Sequence, residues 1–173
     1  TWVEQTSNTI EQLNAVAVAS EQEAWAAGNG ATILHTTDGG ITWRHLERTN
    51  AQIFALAINP QTLQTLYAGA PGRGVFKTTD GWHSFTMANT GLTNRIVFAL
   101  AVDPTNPQTL YAGTNGGIFK STNSGATWRE TLTGLTHFSI LSLAVDPASP
   151  QIVYAGTLGG VFKCGAQGTT WTQ

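Results

Sequence analysis

Apolar residues recur in this 173-residue chain as short runs of strand length, and the runs themselves recur. The first kind occupies residues 13–20 (LNAVAVAS), 53–60 (IFALAINP), 97–104 (VFALAVDP) and 140–147 (ILSLAVDP), with small residues alternating against branched or large ones. That texture predicts a strand, a, buried on both faces, and the closing proline stops it in the last three copies. A second run ends in Ala-Gly at 23–28 (EAWAAG), 65–69 (TLYAG), 109–113 (TLYAG) and 152–156 (IVYAG). A glycine-rich turn then leads to a third run at 33–35 (ILH), 75–77 (VFK), 118–120 (IFK) and 161–163 (VFK), which predicts a b-c hairpin.

Between the third run and a short fourth strand, d, lies one eight-residue phrase: 36–43 (TTDGGITW), 78–85 (TTDGWHSF), 121–128 (STNSGATW) and 164–171 (CGAQGTTW). Its copies start 42, 43 and 43 residues apart. Four antiparallel strands per period of this length, with no helical periodicity, predict an all-β β-propeller of four four-stranded blades. The blades fall at about 11–49, 50–91, 92–134 and 135–173 of a single repeat domain 1–173. A sandwich of short strands is the alternative, but it does not require repetition at blade length.

In the phrase, Asp38 and Asp80 can accept backbone N–H bonds across their own turns while Gly40 takes a positive φ. The hydroxyl residues brace the turn, and the aromatics Trp43, Phe85, Trp128 and Trp171 pack on the blade. The role is structural. At these residues the chain resembles the Asp-box (BNR-type) repeat family, whose motif is approximately Ser/Thr-x-Asp-x-Gly-x-Thr/Ser-Trp. The resemblance covers essentially the whole chain. Departures accumulate toward the end: Phe85 stands for Trp, Asn123 for Asp with Gly125 kept, and Cys164 and Ala166 remove hydroxyl and carboxylate from the fourth copy, which retains Gly168. The fourth turn is therefore expected to be the loosest. The resemblance implies a propeller like those of sialidases, xyloglucan-active glycoside hydrolases, sortilin-type receptors and photosystem II assembly factors. Those share the box and not an activity.

Repeat symmetry separates blade residues from site residues. Tyr67, Tyr111 and Tyr154 are equivalent, as are Lys77, Lys120 and Lys163, and Asp103 and Asp146 stand where the second unit has Asn59. The remaining carboxylates, Glu4, Glu11, Glu21, Glu23, Glu47 and Glu130, show no partner for the paired acid and base of glycoside hydrolysis. The four histidines, His35, His45, His83 and His137, lack metal-ligand spacing, and His35 reads as an exposed strand residue in the place of the repeated lysine. No metal, cofactor or catalytic residue is expected. The resemblance places ligands on the face opposite the c-d turns, made by loops d-a and b-c. Off-pattern residues there are Asn50, Gln52, Arg73, Asn94, Arg95, His137 and Phe138.

Charged residues make up 10% of the chain and the net charge is −2, with basic residues scattered singly, which excludes a phosphate-binding stripe for nucleic acid. The longest apolar runs fall far short of the ~18 residues of a membrane span. A surface made polar by amides and hydroxyls points to an extracellular or periplasmic setting, and Cys164 alone permits no internal disulfide.

Residues 1–5 (TWVEQ) align with 42–46 (TWRHL) and with 170–173 (TWTQ), so the chain begins with a strand d in search of a blade. The last blade is the expected recipient. A four-bladed ring could close on itself, or the segment from Thr1 to Thr6 could cross to a second copy and make one eight-bladed ring. A fragment of a longer propeller has the same phase. The closed homodimer is the expectation, with a non-enzymatic scaffold for protein or glycan as its function. The alternatives are a glycoside hydrolase or sialidase remnant and a purely structural repeat.

Overall fold

Each predicted unit folds into its own four-stranded antiparallel sheet in the computed structural model, which describes residues 5–7, 9–46, 50–165 and 169–173. The first sheet holds β1 (Leu13–Val18), β2 (Ala24–Gly28), β3 (Ile33–Thr36) and β4 (Arg44–His45). The second holds β5 (Ala55–Ile58), β6 (Leu66–Ala70), β7 (Gly74–Thr78) and β8 (Thr86–Met87). The third has β9 (Val97–Val102), β10 (Leu110–Thr114), β11 (Gly117–Ser121) and β12 (Arg129–Glu130). The fourth has β13 (Ile140–Val145), β14 (Val153–Thr157), β15 (Gly160–Cys164) and β16 (Trp171–Thr172). Within every sheet the strands lie in chain order, the meander of a propeller blade.

The apolar cores lie between sheets, not within them. Trp25, Ala27 and Ile33 of the first blade pack with Ile53, Leu66 and Phe76 of the second. Ala55, Ala57, Tyr67 and Val75 of the second pack with Val97, Leu100, Leu110 and Phe119 of the third, and Tyr111 and Ile118 of the third with Ile140, Val153 and Phe162 of the fourth. Each inner strand thus shows alanines to the blade that follows and larger residues to the blade before. That pairing of small with large lets neighbouring strands approach near the axis without voids.

Close approach also explains the glycine of the Tyr-Ala-Gly run. A Cβ on Gly69 would fall 2.6 Å from Cγ1 of Val97, and one on Gly113 would fall 2.6 Å from Cγ2 of Ile140, each in the next blade. The four inner strands pack in series, β1 on β5, β5 on β9 and β9 on β13; among the described residues no comparable packing joins β13 back to β1. Val16, Leu56, Ile58, Leu100, Leu143 and Val145 line a shared central groove of about 400 Å³.

Two expectations change. The fourth blade carries its own outer strand: β16 pairs with β15 through Lys163 opposite Thr172 and Cys164 opposite Trp171, so it has no vacant slot for a strand d. The reason is the anchor at Trp171, whose ring is buried and whose Nε1 donates to the carbonyl of Thr131 in the third blade at 3.0 Å. Of the Thr1 to Thr6 segment, residues 1–4 lie outside the described residues, and Gln5 and Thr6 belong to no strand. His35 is not exposed: it stacks on Trp25 with ring centroids 4.4 Å apart and meets the Glu23 carboxylate at 3.0 Å.

Candidate functional site

The c-d turns hold the chain's most organised polar chemistry. In the first blade the Thr36 hydroxyl donates to Asp38 Oδ1 at 2.8 Å and accepts the Gly40 N–H at 2.9 Å. The same carboxylate accepts the Thr42 N–H at 2.9 Å and, through Oδ2, the Thr42 hydroxyl at 2.6 Å. Thr78, Asp80 and Ser84 repeat this set in the second blade. Those bonds favour the ionised carboxylate, led by the Thr42 hydroxyl for Asp38, whose pKa falls to about 2, and by the Ser84 hydroxyl for Asp80, which is also pushed down. In the third blade Asn123 keeps the geometry with one polarity reversed, its amide donating to Thr127 Oγ1 at 2.9 Å.

In the fourth turn Cys164 Sγ faces the carbonyl of Thr170 at 2.9 Å; Ala166 and Gly168, with the expectation that this turn is the loosest, lie outside the described residues.

The second turn solves a substitution that the sequence reading left unexplained. Trp82 sits where the first and third copies have Gly40 and Gly125, takes φ 73°, and is fully buried. Its ring stacks on Phe85 with centroids 5.8 Å apart, so the indole missing at position 85 is supplied from three residues upstream.

Two of the box aromatics do more than pack on their own blade. Trp128 Nε1 donates to the Ala88 carbonyl of the second blade at 2.8 Å, as Trp171 does to Thr131. In the other direction, the Tyr67 hydroxyl and Lys77 Nζ both donate to the Ser124 carbonyl of the third box, at 3.3 and 2.9 Å. Lys77 lies over the Tyr67 ring, 5.6 Å from its centroid, and Lys120 over Tyr111 likewise. Burial lowers the Lys77 pKa and raises that of Tyr67, while burial first and then nearby negative charge push Tyr111 up to about 12. The signal for these fasteners was the recurrence of Tyr in the second run and Lys in the third, which stand directly opposite each other on paired strands.

On the opposite face loops converge in pairs, some of them across a blade boundary. Gly72 N and Gly74 N both donate to the carbonyl of Arg95, at 2.9 and 3.0 Å, which puts the exposed residues Arg73 and Arg95 on adjoining loops. Asn89, which the sequence reading passed over, ties the same turn down by donating to the Arg73 carbonyl at 2.8 Å and accepting the Val75 N–H at 2.8 Å. Asn94 lies against Gly116 of the next hairpin, and His137 against Gly159 with Phe138 exposed beside it. Asn50, at φ 53°, and Gln52 line a shallow cleft with Gly30 and Ala31. The seven predicted residues therefore form three repeat-related groups on one face rather than a single pocket.

Among the described residues, no three of His, Cys, Asp and Glu are placed to hold a metal ion. Every aspartate of the chain is engaged by its own turn: Asp103 accepts from the N–H groups of Thr105 and Asn106, and Asp146 from those of Ala148 and Ser149. Glu23 meets His35, and Glu130 accepts the Thr93 hydroxyl at 3.1 Å.

No protein-family model matches the sequence, and no curated protein matches it. Solved structures do. An ancestral GH74 enzyme superposes with a TM-score of 0.80 at 21% identity, over 94% of this chain and 24% of that one. The YCF48 protein, solved bound to a D1 peptide, gives 0.73 at 16%, over 95% and 54%. The computationally designed Ika4 protein gives 0.67 at 15%, over 91% and 93%. The chain thus spans about a quarter of the GH74 enzyme and about half of YCF48. At these identities the likeness is one of fold: four consecutive blades of a β-propeller.

Proposed function

We propose that the chain is a non-enzymatic Asp-box scaffold that offers its d-a and b-c loops to a peptide or glycan and completes its ring with a second copy through the segment from Thr1 to Thr6. One observation supports the binding half: all four aspartates are spent on their own turns, while Arg73, Arg95, Asn50 and Gln52 are exposed on the loops of the other face. Arginine and aromatic side chains on loops held by a rigid scaffold are the usual anchors of such surfaces. YCF48 with its D1 peptide is a propeller of this fold in complex with a peptide. Because β16 already holds the edge of β15, strand exchange in the ring requires residues 1–5 to displace it.

A glycoside hydrolase remnant is the second reading, favoured by the likeness to the GH74 enzyme. It needs two carboxyl groups about 5–9.5 Å apart in one cleft. Titration of 15N-labelled protein with peptide and xyloglucan-oligosaccharide panels separates the readings. Shifts at Arg73, Asn94, Arg95 and His137 without turnover support the scaffold. Release of reducing sugar by the purified protein overturns it.

A further inference from the structure

The blade-to-blade interface is directional, and both of its halves are exposed, one on the first blade and the other on the fourth. On the trailing side, Ala55, Tyr67 and Val75 of the second blade and Ala99, Tyr111 and Ile118 of the third are buried against the next blade. Their equivalents in the fourth blade, Ser142, Tyr154 and Val161, are exposed, Tyr154 at 38% and Val161 at 61%. On the leading side, Val97 and Leu100 of the third blade are buried, whereas Leu13 and Val16 of the first are exposed.

The two ends match in detail. In the third blade the edge of the Tyr67 ring lies 3.4 Å from where a Cβ on Gly125 would stand, while its hydroxyl bonds the Ser124 carbonyl. The corresponding place on the first blade is a cavity of about 210 Å³ lined by Val18, Ala24, Thr36, Gly39, Gly40 and Trp43, the positional equivalents of Val102, Leu110, Ser121, Ser124, Gly125 and Trp128. Gln5 lines it too, with its Oε1 2.6 Å from where a Cβ on Gly40 would stand, so an incoming ring displaces that amide. The fourth blade supplies the matching insert, Tyr154 with Lys163 over its ring at 5.7 Å. Charge agrees: Glu21 and Glu23 stand at the rim of the cavity that would receive Lys163.

We infer that the cavity on the first blade is a socket for Tyr154 of a second copy of this chain, with Tyr154 Oη and Lys163 Nζ donating to the Gly39 carbonyl as Tyr67 and Lys77 donate to Ser124. Two such contacts, related by a two-fold axis, close a ring of two chains. The inference rests on the assembly half of the proposed function but not on strand exchange. Its occupant is a second copy because the insert and the socket are continuations of an interface this chain already makes between its own blades.

Sedimentation equilibrium of the full chain, of Tyr154→Ala, of Val18→Lys and of a variant lacking residues 1–6 tests it. Tyr154 and Val18 are exposed, so both variants keep their cores, and circular dichroism confirms the fold. Expected are a dimer for the full chain, and a dimer Kd weakened roughly 30-fold or more in each point variant, the scale of an interface hot spot. Mixing Tyr154→Ala with Val18→Lys should restore dimers, because one of the two contacts then joins an intact insert to an intact socket. A full chain that is monomeric at all concentrations overturns both this inference and the assembly reading. A dimer that Tyr154→Ala leaves intact but loss of residues 1–6 dissolves overturns the socket and leaves strand exchange standing.

Discussion

The indole nitrogen of Trp128 reaches back 40 residues to the carbonyl of Ala88, 2.8 Å away in the preceding blade. One side chain thereby closes a box turn and fastens two sheets. Trp128→Phe keeps most of the buried ring and removes the donor, at an expected cost of about 1–3 kcal/mol for the carbonyl left unpaired. Trp128→Ala adds the loss of the ring, about 3–5 kcal/mol. Urea unfolding followed by fluorescence orders the two; a Trp128→Phe variant as stable as the wild type would show that the hydrogen bond contributes nothing.

Acid should release the box turns. The Asp38 carboxyl titrates at about 2 in the folded chain against an ordinary 3.8, held down by the hydroxyl and N–H of Thr42. A depressed carboxylate pKa contributes stability that is present above the unfolded value and lost as pH falls through the folded one. Stability of the wild type should therefore drop between about pH 4 and pH 2. Asp38→Asn, which copies the arrangement at Asn123, should flatten that part of the profile. An unchanged slope in thermal melts across this window would remove Asp38 as a source.

Gly113 is the place to test how tightly blades approach. A methyl group there meets the side chain of Ile140, so Gly113→Ala should destabilise by about 1–3 kcal/mol through overpacking, although Ala favours a strand more than Gly does. Gly72, where a Cβ meets nothing within 4 Å, is the control position on the loop face. Its positive φ of 78° still predicts a small strain for Gly72→Ala, and chemical denaturation should rank Gly113→Ala as the worse of the two.

Trp82 sets strain against burial. A non-glycine residue at positive φ costs about 1–3 kcal/mol, and removing a buried indole costs about 3–5 kcal/mol. Trp82→Gly restores the residue found at 40 and 125 yet should still lower the melting temperature. The double change Trp82→Gly with Phe85→Trp rebuilds the box of the third blade and should recover most of the loss.

Arg95 enters its loop pair through its backbone carbonyl alone, so Arg95→Ala should leave the thermal midpoint within a degree or two, the range of surface changes of ±0.5 kcal/mol. If the loop face binds the ligand, the same variant weakens binding in a calorimetric titration.

Strand texture and turn composition are local properties, which is why the sixteen strands among the described residues and their order within blades could be read from the sequence. The box bonds were legible too, since Asp38 and Thr42 are four residues apart. What escaped were contacts whose partners are a blade apart: Trp128 to Ala88, and Tyr67 and Lys77 to Ser124. Their periodic spacing was visible, but periodicity does not say toward which neighbour a side chain points. The vacancy expected at the last blade failed for the same reason. The strand at Trp171 is held by the third blade, through Thr131. Of the predicted loop residues, the pairing of Arg73 with Arg95 depends on Asn89, whose side chain carries no motif.

The one-way character of the blade contacts, tyrosine and lysine forward and tryptophan backward, gives the chain a polarity like that of a brick with a tongue on one side and a groove on the other. Inserting or deleting a whole unit leaves both outer surfaces chemically unchanged. A gene of this kind can lengthen or shorten by duplication in steps of one blade wherever neighbouring units share these contacts, as the second to fourth do, and its blade number is then set by the curvature at which the tongue next meets a groove.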